Sequence, residues 1–439
     1  MRKIGLFFAC VLASTCAFAQ SAWDGSTVST PSIDRNNYNI TKPEELAWVA
    51  QEWKTNGTDF KGKTLNIQAD IDLGNHEWTP IGSPEAPFMG SLNGNKHLIK
   101  NFKITAASND YIGLFGYIMN KDAGNLMTIS NLFIRNANIN GHDYVGAICG
   151  LAKNVSFVQC TVDTSTIKGN NAVGGFAGIF KNSAAIESYT KSVTITAAMY
   201  GGLFIGVNDS ADRSNVTISE SYAKGLLTCG NYGGGFVGHN GYKATVKNCY
   251  VIIRYTGQGS KLGLFCGLND TLGVMENCAY NNNLHGNLTT SALFEDHNHI
   301  DQETYFLGYA RNAFSTQTFY GDFVNNMNHN TDKWHFDFVQ FPINEKDPIH
   351  AWQYTIFNEV PAVSEAQLSV YPNPVRNTLF IKVNGDETIQ QVEVMNLLGA
   401  VIATANEVDN IDMSSYKTGI YLLRVHTNHG IVTKKIVKK

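Results

Sequence analysis

The chain has few charged residues, and after position 19 it has no apolar run long enough to cross a membrane. Asp, Glu, Lys and Arg make up 16% of 439 residues, against about 25% in typical soluble proteins. The net charge of −4 argues against nucleic acid as a partner. The motifs HExxH and GxSxG and the P-loop are absent. The sequence therefore predicts no catalytic residue, no metal site and no cofactor.

A segment of about thirty residues is present in six copies, each marked by closely spaced glycines. The first glycines of the copies are Gly113, Gly146, Gly174, Gly202, Gly234 and Gly263. A unit this small cannot bury its own apolar face, so neighbouring units must stack. Short runs of β-branched and aromatic residues indicate strands. We therefore predict an all-β parallel β-helix over residues 105–285, with the glycines at corners that need a positive φ.

A second landmark follows the glycines in every copy. From this landmark to the next glycine the separation is 13 or 14 residues, whereas from the glycine to its landmark it varies from 14 to 19. Constant length predicts strands in register, and variable length predicts loops on one side. The longest insertions, Asn120–Asn125 and Asn208–Asn215, are either recognition loops or plain surface excursions.

The two ends of the chain differ from the middle. Residues 1–19 have the pattern of an export signal, with cleavage predicted between Ala19 and Gln20. We expect residues 20–104 to form an N-terminal cap with one helix, which starts at a capping box of Thr41 and Glu44. Residues 286–363 are predicted to be a closing segment and linker. Residues 364–439 alternate like short strands and predict a small antiparallel β-sandwich.

Six cysteines remain after the predicted cleavage, and most recur at equivalent slots. Cys149 and Cys266 share one slot, and Cys160, Cys249 and Cys278 share another. A cysteine that recurs at an inward slot usually acts as a small apolar filler. We therefore expect buried thiols, although an exported protein is in a compartment where disulfides can form.

A column of aromatic residues is the main candidate for ligand binding. Tyr189, Tyr222 and Tyr250 occupy one slot in successive copies, with Phe133 in the same column. Because residues alternate faces along a strand, inward cysteines in the neighbouring slot place the tyrosines outside. An exposed ladder would suit sugar rings, whereas a buried ladder would be packing alone.

Several carboxylates share slots. Asp70 and Asp72 lie on one face of a strand, either as an acid–base or cation pair or as hydrogen-bond acceptors for a turn. Asp110 and Asp143 are like charges in adjacent copies, and either a bound cation or full solvation would relieve their repulsion; full solvation is the favoured explanation.

Two further groups of residues have side chains that could support catalysis or metal binding. Glu187 and Glu220 also share a slot, and paired carboxylates would suit a glycosidase or lyase. The acidic and histidine residues between 295 and 301 resemble a zinc cluster, but a polar loop is the favoured interpretation. They are Glu295, Asp296, His297, His299 and Asp301.

The last seventy residues resemble the C-terminal sorting domain of the type IX secretion system of Bacteroidota. The resemblance rests on YPNP at 371–374, VEVMNLLG at 392–399, TGIYLLRV at 418–425 and the ending KKIVKK. The sorting-signal residues it implies are Tyr371, Pro372, Asn373, Pro374, Gly399, Gly419, Tyr421, Lys434 and Lys435. The resemblance implies the secretion machinery as a partner, and a protein secreted or held at the outer-membrane surface.

The middle of the chain resembles the GLUG-type repeat family. YIGLFGYI at 111–118 and YGGGFVG at 232–238 are close to that family's motif. The resemblance implies a right-handed parallel β-helix of the kind found in adhesin-like surface proteins, and it provides no catalytic residues.

Two functions remain open. The first is a non-catalytic, adhesin-like module that binds glycans or host proteins. The alternative is a polysaccharide lyase or glycoside hydrolase on the same scaffold. A flat face of Thr, Asn and Tyr would favour binding, and two carboxylates in a groove beside a basic residue would favour an enzyme.

Overall fold

The protein was analysed as a computed structural model. The structure describes residues 21–122, 124–210, 217–256, 259–281, 293–296, 306–309, 334–336, 348–350, 368–383, 388–395, 401–406, 408–427 and 430–439. The predicted signal peptide and most of the predicted closing segment therefore lie outside the described residues. The chain divides into two compact units, Met1–Ala313 and Phe314–Lys439.

Among the described residues of the first unit there is one helix, α1 (Pro43–Asn56), which begins and ends with local hydrogen bonds. The Glu45 carboxylate, and not that of Glu44, accepts hydrogen bonds from the backbone N–H of Thr41 at 2.6 Å and of Lys42 at 3.1 Å. These bonds satisfy N–H groups that a helix start leaves unpaired. Gly57 ends the helix in the left-handed conformation at φ 67°, as glycine does at many helix ends. The helix packs its apolar face on the hydrophobic core of this unit.

Thirty strands are described in the rest of this unit. In chain order they are β1 (Ser32–Asp34), β2 (Asn37–Ile40), β3 (Thr64–Ile67), β4 (Ile71–Glu77), β5 (Ser91–Asn93), β6 (Leu98–Thr105), β7 (Phe115–Met119), β8 (Met127–Ser130), β9 (Phe133–Asn140), β10 (Asp143–Val145), β11 (Cys149–Lys153), β12 (Val155–Val158), β13 (Thr161–Asp163), β14 (Thr166–Lys168), β15 (Asn171–Gly174), β16 (Ala177–Lys181), β17 (Ala184–Ile186), β18 (Tyr189–Gly202), β19 (Ile205–Asp209), β20 (Thr217–Ser219), β21 (Tyr222–Gly234), β22 (Val237–Asn240), β23 (Thr245–Lys247), β24 (Tyr250–Tyr255), β25 (Ser260–Gly263), β26 (Cys266–Asn269), β27 (Val274–Glu276), β28 (Cys278–Asn281), β29 (Leu293–Asp296) and β30 (Phe306–Tyr309).

These strands stack into three sheets, and apart from the β1–β2 hairpin they pair in parallel. The first sheet runs β1-β2-β3-β5-β8-β12-β17-β20-β23-β27. The second runs β30-β28-β24-β21-β18-β13-β9-β6-β4, with β10, β14, β15 and β25 beside it, and the third runs β29-β26-β22-β19-β16-β11-β7. One turn of this parallel β-solenoid, which we call a rung, gives strands to each sheet. The predicted β-helix is therefore confirmed, and its parallel pairing starts at β2 and continues to β30, beyond residues 105–285.

The register follows the glycine repeat, but the glycines are not the corners. Gly174, Gly202 and Gly234 pair with one another in successive rungs. At Gly178 an added Cβ would lie 2.6 Å from the Tyr144 carbonyl carbon. The repeated glycines therefore allow neighbouring backbones to approach closely, and the prediction that they supply positive φ is wrong.

The corners are instead formed by larger residues in the left-handed conformation, which costs a non-glycine residue free energy. One corner column is Tyr111, Tyr144, Ala172, Tyr200, Tyr232 and Lys261, with φ from 51° to 59°. Another is Asn131, Gln159, Glu187, Glu220, Asn248 and Asn277, with φ from 48° to 54°.

The interior is a set of apolar columns. Phe176, Phe204, Phe236 and Phe265 stack with centroid separations of 4.8, 4.8 and 5.1 Å. All six cysteines after the predicted cleavage site are free and buried, as predicted. Burial raises the pKa of the Cys160 thiol to about 12, so these thiols act as apolar filler.

A buried ladder of amides lies at the end of the third sheet. Asn208 donates to the Asn240 side chain at 3.0 Å, and Asn240 donates to Asn269 at 2.9 Å. Buried amides need such partners. Asn208 is thus a strand residue, and the prediction that a loop begins there is wrong. Residues 211–216 of that predicted loop lie outside the described residues.

The second unit contains nine described strands. They are β31 (Trp334–Phe336), β32 (Pro348–His350), β33 (Leu368–Tyr371), β34 (Thr378–Val383), β35 (Ile389–Met395), β36 (Val401–Asn406), β37 (Asn410–Asp412), β38 (Gly419–Thr427) and β39 (Gly430–Lys438). The strands form antiparallel sheets in the orders β31-β32, β33-β34-β37 and β36-β35-β38-β39. Leu379 and Ile381 of one sheet share a core with Val392 and Leu423 of another. The predicted antiparallel sandwich is therefore confirmed.

Candidate functional site

The predicted tyrosine column exists, but it is not exposed. Tyr189 pairs with Tyr222, and Tyr222 with Tyr250. The three residues are 8%, 3% and 1% exposed. The neighbouring Cys160 slot faces the interior, so alternation places the tyrosines on the outer side as expected. Their expected exposure to solvent is nevertheless wrong.

Stacking explains why this column does not suit sugar rings. The rings of Tyr189 and Tyr222 lie 4.7 Å apart with an interplanar angle of 2°, and those of Tyr222 and Tyr250 lie 4.9 Å apart at 9°. A sugar stacks on the face of an aromatic ring. In this column neighbouring rings occupy those faces, because the rung spacing of about 4.8 Å is close to the stacking distance.

Polar and cationic side chains form three columns on the outer side of the second sheet, beside the tyrosines. We call them the polar face. The first column holds Asp72, Lys100, Arg135, Asp163, Lys191 and Lys224; the second holds Glu77, Lys103, Asn138, Thr166, Thr194, Leu226 and Arg254; the third holds Thr105, Asn140, Lys168, Thr196, Thr228 and Thr256. Ile139, Ile167 and Ile195 alternate with them and are buried.

The polar face holds seven cationic side chains and three carboxylates. Each carboxylate is near a cation: Asp72 lies 3.6 Å from the Lys100 ammonium, and Asp163 lies 3.3 Å from the Arg135 guanidinium. Lys168 and Arg254 are exposed and have no carboxylate partner among the described residues. The face therefore has an excess of positive charge on a chain whose net charge is −4.

A second candidate surface lies at the corner between the second and third sheets. Tyr111, Tyr117 and Tyr144 pack against one another and against an apolar strip of Leu151, Ala172, Ile179 and Val207. We call this group the corner tyrosine cluster. The ring centroids of Tyr111 and Tyr144 are 4.9 Å apart with a 35° tilt, so the rings do not stack in parallel. All three tyrosines are partly exposed.

Two carboxylates and a histidine border this cluster. His142 Nδ1 lies 2.8 Å from Asp110 Oδ1 and 3.6 Å from Asp143 Oδ1. The hydrogen bond to Asp110 and the charge of Asp143 raise the pKa of His142 above its usual value. The sequence placed Asp110 and Asp143 together but missed His142, which lies directly before Asp143. Their ligand atoms lie within 4.8 Å of one another, so the trio is the described group nearest to a metal site.

The other predicted carboxylate pairs have local structural roles. Asp70 accepts a hydrogen bond from the Leu98 N–H at 3.0 Å, and Asp72 accepts one from the Gly74 N–H at 3.0 Å. Partial burial alone would raise the pKa of Asp72, but the bonds from Gly74 and Asn101 lower it overall. The turn interpretation of this pair is therefore confirmed.

Glu187 and Glu220 lie in one corner column, as predicted, and both are 8% exposed. Gln159 donates to Glu187 at 2.9 Å, and Asn248 donates to Glu220. Each carboxylate thus has an amide partner from an adjacent rung. The structure describes no side chain of the predicted cluster at 295–301. The loop at Asn120–Asn125 is present and held by Asp122, which accepts from the Gly124 N–H at 2.8 Å.

The sorting motifs meet at the edge of the second unit's sandwich. Asn373 Oδ1 accepts a hydrogen bond from the Val437 N–H at 2.8 Å. Val375 N donates to Val437 O at 2.8 Å, and Lys439 N donates to Val375 O at 2.9 Å. Tyr371 is half-exposed and stacks on Phe380. Gly399 lies outside the described residues.

Two families match parts of the chain. Residues 369–439 match the secretion system C-terminal sorting domain. Residues 230–254 match the GLUG motif. The protein is therefore a β-solenoid protein with a GLUG motif and a type IX sorting domain. This domain directs it to the cell surface or outside and implies contact with the type IX secretion machinery. In the described part of the chain, the single helix is too short and too polar to span a bilayer.

Two curated proteins are similar over shorter stretches. Halomucin from Haloquadratum walsbyi is 30% identical over 138 residues, which is 29% of this chain and 1% of that protein. A putative Gly-rich membrane protein from Evansella cellulosilytica is 35% identical over 81 residues, which is 18% of this chain and 8% of that protein. The chain thus spans a small part of these relatives, and the likeness is local.

Proposed function

We propose that this exported protein is a non-catalytic binding module and that its polar face binds an acidic polysaccharide at or outside the cell surface. The observation that carries the proposal is the set of three columns, in which Thr, Asn, Lys and Arg side chains recur from rung to rung. The columns contain the Thr and Asn side chains expected of a binding face, whereas the expected tyrosines are buried.

The spacing of the columns suits a repeating polymer. Neighbouring rungs place equivalent side chains about 4.8 Å apart. The Asn138 amide and the hydroxyls of Thr166 and Thr194, which follow one another at that repeat, offer donors and acceptors along the solenoid axis. A polymer that crosses several rungs makes many weak contacts at once, which raises its apparent affinity.

The excess of cations supports an acidic polymer over a neutral one. Charge complementarity sets specificity and association rate more than raw affinity. Contacts with exposed Lys168 and Arg254 are screened by salt, because the Debye length falls from about 10 Å at 0.1 M to about 3 Å at 1 M. Binding should therefore weaken steeply with added salt.

Affinity electrophoresis of the chain without its predicted signal peptide tests this function. We expect polygalacturonate in the gel to retard the protein and neutral dextran to leave its mobility unchanged. Lys168→Ser combined with Arg254→Ser should weaken binding by about tenfold, which corresponds to about 0.7 kcal/mol for each exposed charge. A double variant of matched charge, Lys121→Ser with Lys61→Ser, removes exposed lysines outside the polar face and should bind like the parent.

Equal retardation by dextran and polygalacturonate would overturn the choice of an acidic polymer. No retardation by either would overturn the proposed face. The alternatives of a host-protein ligand and of a lyase or hydrolase stay predictions. The lyase or hydrolase alternative would be favoured if the protein cleaved a polysaccharide and if Glu187→Gln and Glu220→Gln abolished that cleavage.

A further inference from the structure

The corner tyrosine cluster combines three features. It has partly exposed aromatic rings, a mostly buried apolar strip beside them and carboxylates at one border. Asp110 and Asp143 directly precede Tyr111 and Tyr144, and the charge of Glu85 also acts on Tyr111. On the opposite border, Lys153 and Lys181 extend the strands that carry Leu151 and Ile179.

The same corner column shows which group such a tyrosine accepts. Tyr232 lies four rungs from Tyr111 in this column. Lys261 Nζ lies 4.3 Å from the centroid of the Tyr232 ring and donates to the Tyr232 hydroxyl at 2.6 Å. Lys261 occupies the next slot of that column. At the Tyr111 end the next two slots hold Tyr144 and Ala172, so no lysine of the column lies over these rings.

We propose that the corner tyrosine cluster binds a lysine or arginine side chain of a partner polypeptide, with Asp110 and Asp143 facing its charge. Long cationic side chains have an apolar stem and a charged head. The partly exposed rings of Tyr111 and Tyr144 receive both the stem and the cation, and the carboxylates pair with the charge. Lys153 and Lys181 repel the head from the other border and so fix its orientation.

His142 makes this binding dependent on pH. Its protonated ring lies between the two carboxylates and competes with an incoming cation for them. The charged groups that face it are Asp110 and Asp143, with the Asn170 amide donating to Asp143 at 2.8 Å. When the ring is neutral, both carboxylates are available. The partner cation should therefore bind more tightly at about pH 8 than at about pH 5.5.

Fluorescence polarisation with labelled pentalysine and the chain without its predicted signal peptide tests the proposal. Asp143→Asn should weaken binding at about pH 8 by about fivefold, and Tyr144→Ala by about threefold, as a cation–π contact at an exposed site predicts. Tyr144→Phe keeps the ring and should bind within about twofold of the parent. Asp34→Asn removes one exposed carboxylate elsewhere, matches the charge change and should leave binding unchanged.

Three results would overturn the proposal. Asp34→Asn and Asp143→Asn could weaken binding equally, which would show attraction by net charge alone. Tyr144→Ala could bind like the parent. A chitosan tetramer could bind while pentalysine does not, which would make the ligand an amino sugar. His142→Ala should remove the difference between the two pH values, and persistence of that difference would refute the role of His142. This surface shares no residue with the polar face, so it can fail or succeed independently of that face.

Discussion

The rings of Tyr189 and Tyr222 lie parallel in neighbouring rungs, 4.7 Å apart at an interplanar angle of 2°. Their Cα atoms are directly paired in the second sheet. In a solenoid of this kind, each side chain has the same neighbour above and below. A residue's environment is therefore set by its column, and a single substitution acts on two neighbouring rungs.

The interior phenylalanine column should be the most sensitive part of the core. Phe204 is fully buried between Phe176 and Phe236. Phe204→Ala leaves a cavity that stacked rungs cannot fill, and it should lower the free energy of unfolding by about 3–5 kcal/mol. Denaturant unfolding followed by circular dichroism measures this. Tyr242→Ala, at an exposed ring, should change stability by less than about 0.5 kcal/mol; equal losses for both variants would contradict the assigned core.

The repeated glycines should tolerate no side chain. An alanine Cβ at Gly178 would lie 2.6 Å from the Tyr144 backbone and 2.6 Å from Gly150 O. Gly178→Ala should therefore destabilise the first unit by about 1–3 kcal/mol, although alanine reduces the entropy of the unfolded chain.

Gly124→Ala is the matched control, since its nearest neighbour would be Asp122 Oδ1 at 3.1 Å in an exposed loop. The comparison uses thermal unfolding of both variants under the same conditions. A melting temperature of Gly178→Ala at or above that of the parent would contradict the close approach of the two rungs.

His142 should titrate above a free histidine. Its pKa is raised, so its contribution to stability is fully present below the unfolded value of about 6.5 and is lost as pH rises through the folded value. Two-dimensional NMR of the ring protons measures the folded value. Asp110→Asn should shift it down towards about 6.5, and Asp34→Asn should not move it. A titration unaffected by Asp110→Asn would remove the pair from the site.

The sorting domain should depend on the link between its first motif and its last strand. Asn373→Ala removes the acceptor for the Val437 N–H and should lower the stability of the second unit by about 1 kcal/mol. The yield of protein at the surface or in the medium, measured by cell fractionation, should fall with it. Asn410→Ala, whose amide bonds only to exposed Asp409 among the described residues, should be exported normally. Normal export of Asn373→Ala would show that the link is not needed.

Much of the fold follows from patterns in the sequence. The glycine spacing gives the register of the stack, because insertions are confined to one side of each rung. The alternation after residue 364 predicts short antiparallel strands, and β33 to β39 are such strands. Both patterns are local in the sequence, and main-chain pairing between strands follows from them without knowledge of the side chains in other rungs.

The site is less predictable, because it depends on neighbours in other rungs. Alternation gives the direction of Tyr222 but not its burial. Nothing local shows that Tyr144 and Glu187 adopt the left-handed conformation, which bulky residues rarely do. The cationic columns had a usable signal, since Arg135, Lys191 and Lys224 each follow the aromatic slot by two residues. His142 had a weaker signal in the sequence: it directly precedes Asp143, which occupies the slot equivalent to that of Asp110.

Hydroxyl-radical footprinting read by mass spectrometry tests the stacked columns most directly, because tyrosine reactivity follows solvent exposure. In the folded chain we expect Tyr222 and Tyr250 to be protected and Tyr242, which is 41% exposed, to be labelled fast. Tyr111 and Tyr144 should fall between them, and unfolding should bring all five to similar rates. Labelling of Tyr222 as fast as Tyr242 in the folded protein would contradict the register on which both proposed surfaces depend.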